Sequence, residues 1–168
     1  ILREATPPPQ MAQLLKTILM WVVELLQADA GEIYLYNQDL QLLKLAVGYK
    51  YSEDYVGITV GPEQGLAGTV FRSGEPLILE NYRTWEGRFA VFQDAPPVLP
   101  IMMLPLKWHG RTIGTLSIEA DGRRRTFGQD DVRLATVFAG LAAVAIENAR
   151  LYNELQDRTA KLKRILER

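Results

Sequence analysis

Residues 129–168, QDDVRLATVFAGLAAVAIENARLYNELQDRTAKLKRILER, read as one uninterrupted helix with two apolar stripes. The first stripe repeats at heptad spacing through Leu134, Phe138, Leu141, Ala145, Asn148, Tyr152, Leu155, Thr159, Leu162 and Leu166, the pattern of a coiled-coil seam. The second, Val132, Ala135, Ala139, Ala142, Ala143, Ile146 and Ala149, stops midway. The first half is therefore expected to bury two faces, and residues 151–168 only one. At ~1.5 Å per residue the helix is ~57 Å long. A compact domain built from the rest has a radius of gyration of only about 15 Å. The helix is expected to leave the domain, which divides the chain into a domain over 10–150 and the start of a coiled-coil linker over 151–168.

Composition narrows the function classes. Nineteen basic residues stand against 20 acidic ones, so no single-sign field calls for nucleic acid or an anionic membrane. There is no cysteine, which removes disulfides, thiolate metal sites, cysteine nucleophiles and thioether-linked cofactors. No apolar run approaches the ~20 residues of a membrane span and no signal peptide is visible. We expect a cytoplasmic piece of a longer protein, making no membrane contact of its own.

Working back from the helix, residues 101–107 and 112–119 form two strands joined by Trp108-His109-Gly110-Arg111. On the second strand Ile113, Leu116 and Ile118 are apolar, whereas Thr115, Ser117 and Glu119 alternate with them. A half-polar face suits a sheet lining a ligand pocket, and equally one facing solvent. Arg123-Arg124-Arg125 follows in a loop, read as solvated or as a phosphate contact. Thr126 with Gln129 has capping-box spacing, and Gly128 is the other candidate cap. Residues 81–100 lack periodicity and hold Tyr82, Trp85, Arg88, Phe89 and Phe92. Aromatics with an arginine suit a lid over a small organic ligand; a surface loop pinned by its own aromatics has the same composition.

The first half is simpler. An amphipathic helix over 10–27 follows Pro7-Pro8-Pro9. Residues 32–36 and 40–49 form a hairpin, with Ile33, Leu35, Leu43, Leu45 and Val47 as core positions. Gly65-Leu66-Ala67-Gly68 opens a short helix closed by Gly74, and its glycines match no phosphate-binding pattern. The order predicts an α+β fold: a five- or six-stranded, antiparallel sheet, terminal helices packed on one face, and short helices and loops over a pocket on the other.

Met103-Leu104-Pro105-Leu106, the run 110–116, Phe127 with Asp131, and Ala145-Ile146-Glu147-Asn148-Ala149-Arg150-Leu151-Tyr152 together resemble the GAF domain. Gly65-Leu66-Ala67-Gly68 before Ser73-Gly74-Glu75-Pro76 is similar to the same family's mid-domain pattern. The resemblance implies a six-stranded sheet with a pocket on one face and terminal helices that build a parallel homodimer. It also implies a sensory or relay role upstream of an effector such as a histidine kinase in a two-component system.

The departures from relatives bear on the ligand. A bilin is held through cysteine, and the family's methionine sulfoxide reductases need cysteines too. Haem needs an axial ligand, and His109 in a hairpin turn is the sole histidine. The cyclic-nucleotide signature is met only by Phe127 and Asp131: Val132 replaces its glutamate, and Ala120 and Asp121 stand where Asn-Lys is expected. Glu119, Asp121 and Asp131 show no partner at a meaningful spacing, so no catalytic residue and no metal site is assigned. The expected binding set is Tyr82, Trp85, Arg88, Phe92, Met102, Thr115, Ser117 and Glu119, with Met102 and Met103 alternatively plugging the pocket. The expected dimer and relay seam is Leu134, Phe138, Leu141, Ala145, Asn148, Tyr152, Leu155 and Leu162. Asn148 would set the register of a parallel pair, or else hydrogen-bond within one subunit.

Overall fold

A computed structural model describes residues 7–88 and 94–168. Helix α1 (Pro9–Leu25) begins with proline in its first turn, where the missing N–H breaks no hydrogen bond. It ends as Gln27 turns into the left-handed region, φ 54°. Strands β1 (Ala30–Asn37) and β2 (Leu42–Tyr49) form a hairpin whose turn is held by Asn37 Oδ1, which accepts from the backbone N–H of Asp39 and Leu40. A short strand β3 (Thr59–Val60), helix α2 (Gly65–Ser73) and strand β4 (Leu77–Leu79) follow. Gly74 closes α2 at φ 67°, donating its N–H to Val70 O.

Strands β5 (Ile101–Trp108) and β6 (Arg111–Glu119) are joined at His109 (φ 49°) and Gly110 (φ 76°), the paired positive φ values of a type I′ turn. Helix α3 (Gln129–Leu166) completes the chain. The strands form one antiparallel six-stranded sheet in the order β3-β2-β1-β6-β5-β4. The fold is α+β, as the order of elements predicts.

Both faces of the sheet are buried. Ile33, Leu35, Leu104, Leu106, Leu116 and Ile118 face the terminal helices, meeting Leu15, Leu19 and Val22 of α1 and Ala135, Ala139 and Ala142 of α3. Tyr34, Leu43, Leu45, Ile101 and Met103 face the other way, under α2. A register shift changes sides within β2: Ile33 pairs with Val47 but Tyr34 with Leu45, so Ala46 is the extra residue. The five expected core positions of this hairpin are all buried, but the bulge divides them between the two layers.

Gly128 caps α3, where Asp131 Oδ2 accepts its N–H at 2.8 Å. Ala135, Ala139, Ala142, Ala143 and Ile146 are buried, Glu147 is the last buried residue, and Asn153, Glu154 and Asp157 are half-buried beside a groove that Pro7, Gln38 and Arg111 also line. By length and composition alone α3 is long and apolar enough to cross a membrane, a feature the sequence reading missed. Its apolar first half packs on the sheet, as the core helix of a globular domain does.

The three arginines are not simply solvated. Arg123 pairs with Asp121, Arg124 with Asp29 and Arg125 with Asp131. Asp29 Oδ2 also accepts the Asp121 N–H, which ties the loop after β6 to the start of β1. Arg123 holds the Asp121 carboxyl down at about 2 through side-chain and backbone hydrogen bonds.

Candidate functional site

The register of β1, β5 and β6 builds a polar floor beneath α2. Glu32 pairs with Ser117 and Ser117 with Met103, while Glu119 pairs with Ala30 and Ile101. Side chains two residues apart share a face, so Glu32, Ser117 and Glu119 stand together. They line a cavity of about 60 Å³, with Tyr34, Ile58, Val60, Gln64, Leu66, Ala67, Tyr82, Leu99, Ile101 and Met103 among its other walls.

Glu32 is 1% exposed and Glu119 2%. Ser117 Oγ donates to Glu32 Oε2 at 2.5 Å, and the two carboxyl groups lie within hydrogen-bonding reach of each other. Burial raises Glu119 well above the ordinary carboxyl range, and the neighbouring Glu32 raises it further. Burial raises Glu32 too, opposed by hydrogen bonds from Glu119, Ser117 and Ser52. Two like charges at this depth cannot both be tolerated, so the two carboxyl groups share a proton. The other titratable neighbours are tyrosines: Tyr34 on β1, Tyr51 after β2, and Tyr82 on the short 3-10 turn Tyr82–Thr84. Burial, then the two glutamates, pushes the Tyr34 phenol far above its usual value. Among the described residues, no Lys, Arg or His lines the cavity. Glu32 Oε1, Glu119 Oε2 and the fully buried Thr115 Oγ1 have no hydrogen-bond partner among the described residues.

Of the expected binding residues, Tyr82, Ser117 and Glu119 line the cavity. Thr115 lies on the same sheet face but is not among its walls. Trp85 packs against the pocket-side core with its ring centroid 6.1 Å from that of Tyr82. Arg88 is exposed and donates to Trp85 O, so it does not reach the cavity. Phe92 lies outside the described residues, as does Phe89. Met102 is a correction. It pairs with Ile118 and is 0% exposed within the helix-side layer, whereas Met103, one residue on, faces the cavity.

Sequence reasoning also missed three residues. Glu32 is the partner that Glu119 was judged to lack. Arg83 donates to Pro96 O (2.6 Å) and Ala95 O (2.5 Å), and Asn81 Oδ1 accepts from Arg83 and Leu99 N–H. These bonds clasp the two ends of the irregular segment.

The geometry bears on each cofactor considered. His109 is exposed in its turn, ~26 Å along the strand from Ile101 at ~3.3 Å per residue, and does not reach the cavity to ligate haem. Asp131 is engaged by Gly128 N–H and Arg125, so the residue matching the cyclic-nucleotide signature serves the helix start. No group of three or more His, Cys, Asp or Glu among the described residues is placed to hold a metal ion.

On the outer side of α3, Leu134, Leu141, Asn148, Tyr152, Leu155 and Leu162 are exposed, and Phe138 and Ala145 are half-buried against the core. Leu14, Trp21 and Leu25 of α1 are exposed as well. At the end of the buried stretch of α3, Glu147 accepts from Arg150 at 2.9 Å, and Arg150 and Arg158 both reach Glu154.

The family profile of the GAF domain matches residues 10–147. Solved structures with similar folds include the GAF domain of a phosphoenolpyruvate-protein phosphotransferase from Coxiella burnetii. It is 20% identical, covers 88% of each chain and has a TM-score of 0.77. The second GAF domain of DevS from Mycobacterium smegmatis is 18% identical over 86% of this chain and 99% of its own, TM-score 0.69. A type II free methionine-R-sulfoxide reductase from Thermoplasma acidophilum is 16% identical over 83% of this chain and 94% of its own, TM-score 0.69.

Proposed function

We propose, on the premise that this chain belongs to the GAF domain family, that it senses a small molecule held between the Glu32–Glu119 pair and the Tyr82 wall. GAF domains are regulatory sensor modules of signalling proteins. Occupancy is passed along α3 to a downstream effector such as a histidine kinase, within a parallel homodimer joined through the terminal helices. The observation that carries this reading is the cavity's chemistry. A cavity kept only as packing space is best lined by apolar groups, whereas this one ends in two buried carboxyl groups with unpartnered oxygens. Coupling requires the ligand to bind one helix arrangement more tightly than another. The exposed seam on α3 supports the dimer.

The second reading, a ligand-free dimerisation and relay module, is favoured by the size of the cavity. At about 60 Å³ it is well below the ~150 Å³ that accommodates benzene, and Met103 partly fills it. Mass spectrometry of compounds released on heating the purified chain separates the two, with a thermal-shift screen of cyclic nucleotides and small metabolites beside it. A retained or stabilising compound supports sensing; an empty domain stabilised by nothing in the screen supports the ligand-free relay.

A further inference from the structure

We propose that the cavity recognises a small primary alkylammonium ion, its N–H groups donating to Glu32 Oε1 and Glu119 Oε2. This rests on the ligand-sensing reading above and names the class of ligand. Both oxygens are buried, belong to residues lining the cavity, and lack partners among the described residues. With one proton shared between the carboxyl groups, both oxygens are acceptors and the pair carries one negative charge. Among the described residues, no cationic side chain lines the cavity to neutralise it. The site therefore lacks one positive charge and at least two N–H donors, which an ammonium supplies together.

The remaining walls choose among cations. Ile58, Val60, Leu66, Leu99, Ile101 and Met103 present hydrocarbon, not oxygen. A bare Mg²⁺ or Ca²⁺ asks for about six or more oxygen ligands, which these walls do not provide. Gln64, the polar wall residue on the α2 side, already has its Oε1 engaged by Gly61 N–H. The small volume, which leaves no room for a second ammonium group, selects monoamines over diamines. About 60 Å³ corresponds to roughly two water volumes, which matches the one-carbon methylammonium ion and makes the ethyl and propyl homologues the test of size.

The test is titration calorimetry and thermal shift on the whole 168-residue chain with methyl-, ethyl- and propylammonium chloride. The matching alcohols, 1,3-diaminopropane, potassium chloride and magnesium chloride are the comparisons, with a panel of neutral and anionic metabolites alongside. The expected result is saturable one-to-one binding of a monoamine and no response to the alcohols, with the diamine at least ~10-fold weaker. Glu119→Gln, which imitates the protonated partner, leaves binding within a few-fold, whereas the Glu32→Gln/Glu119→Gln double variant, which removes the negative charge at the same side-chain volume, weakens it by about 10–100-fold, the loss of a charge-assisted hydrogen bond. Circular dichroism shows whether each variant is folded. Equal response to the alcohols, a response to inorganic cations only, or undiminished binding by the folded double variant overturns the inference. If a metabolite from the panel binds and no ammonium does, the cation class fails while the sensing reading stands. If nothing binds, both fail.

Discussion

Glu119 lies one face-sharing step beyond Ser117, the cross-strand partner of Glu32, so two glutamates distant in sequence meet in one buried pair. The pairing sets both the chemistry of the cavity and its stability cost. Glu32 destabilises the charged form of Glu119, whereas the hydrogen bond from Glu119 favours that of Glu32, and among the described residues no cationic side chain lines the cavity to relieve the pair.

Replacing Glu119 with Gln is expected to stabilise the domain at neutral pH and to flatten its stability profile. The folded-state pKa of Glu119 is raised, so its contribution is fully present below the unfolded value near 4.5 and is lost as pH rises through the folded value. Gln imitates the protonated acid at every pH. Relief of on the order of 1 kcal/mol corresponds to about 2–4 °C in melting temperature for a chain of this size. Melting curves of both proteins from pH 4.5 to 8 check this; a wild-type curve that does not fall over that range contradicts it.

The neighbouring methionines are expected to respond differently to truncation. Met102→Ala removes a fully buried side chain from the helix-side layer and costs about 2–5 kcal/mol. Met103→Ala opens the cavity, so its loss of stability is partly recovered by an added apolar ligand such as benzene. Denaturant unfolding with and without benzene measures both, and recovery by Met102→Ala instead would reverse the assignment of faces.

Gly114 faces the β1 backbone so closely that an added Cβ would lie 2.2 Å from Tyr34 O. Gly114→Ala must push two paired strands apart and is expected to lose about 1–3 kcal/mol or more. Gly140, where an added Cβ meets nothing, is the control: Gly140→Ala should gain up to ~1 kcal/mol from helix propensity. Chemical denaturation of the two variants compares the effects directly.

The seam carries the dimer proposal. Leu141→Glu and Leu155→Glu alter exposed positions on α3, so each is expected to leave the fold intact and to raise the dimer dissociation constant by at least ~10-fold. Sedimentation at several concentrations reads this out. A wild-type chain that stays monomeric at high micromolar concentration would remove the dimer.

Much of the fold was legible because local patterns carry it. Alternation on β6, the turn at His109-Gly110 and the two stripes of α3 each lie within one segment, and the family resemblance joins them. The site was less legible, since its parts are non-local. Glu119 stands out on its strand, but its partnership with Glu32 depends on how β6 registers against β1. The arginines after β6 read as solvated because Asp29, which holds Arg124, precedes the sheet. Met102 was misplaced because β5 is apolar on both faces, and a run such as Ile101-Met102-Met103-Leu104 does not reveal which side is which. Ala46 hides a change of face for the same reason.

The burial limit of α3 at Glu147 makes the rest of that helix a lever arm. From Glu147 to Leu166 it extends ~29 Å at ~1.5 Å per residue. A tilt of ~2° at the edge of the sheet displaces its far end by ~1 Å along this rigid rod. A shift too small to repack the core is therefore magnified along the helix and becomes largest at Leu166.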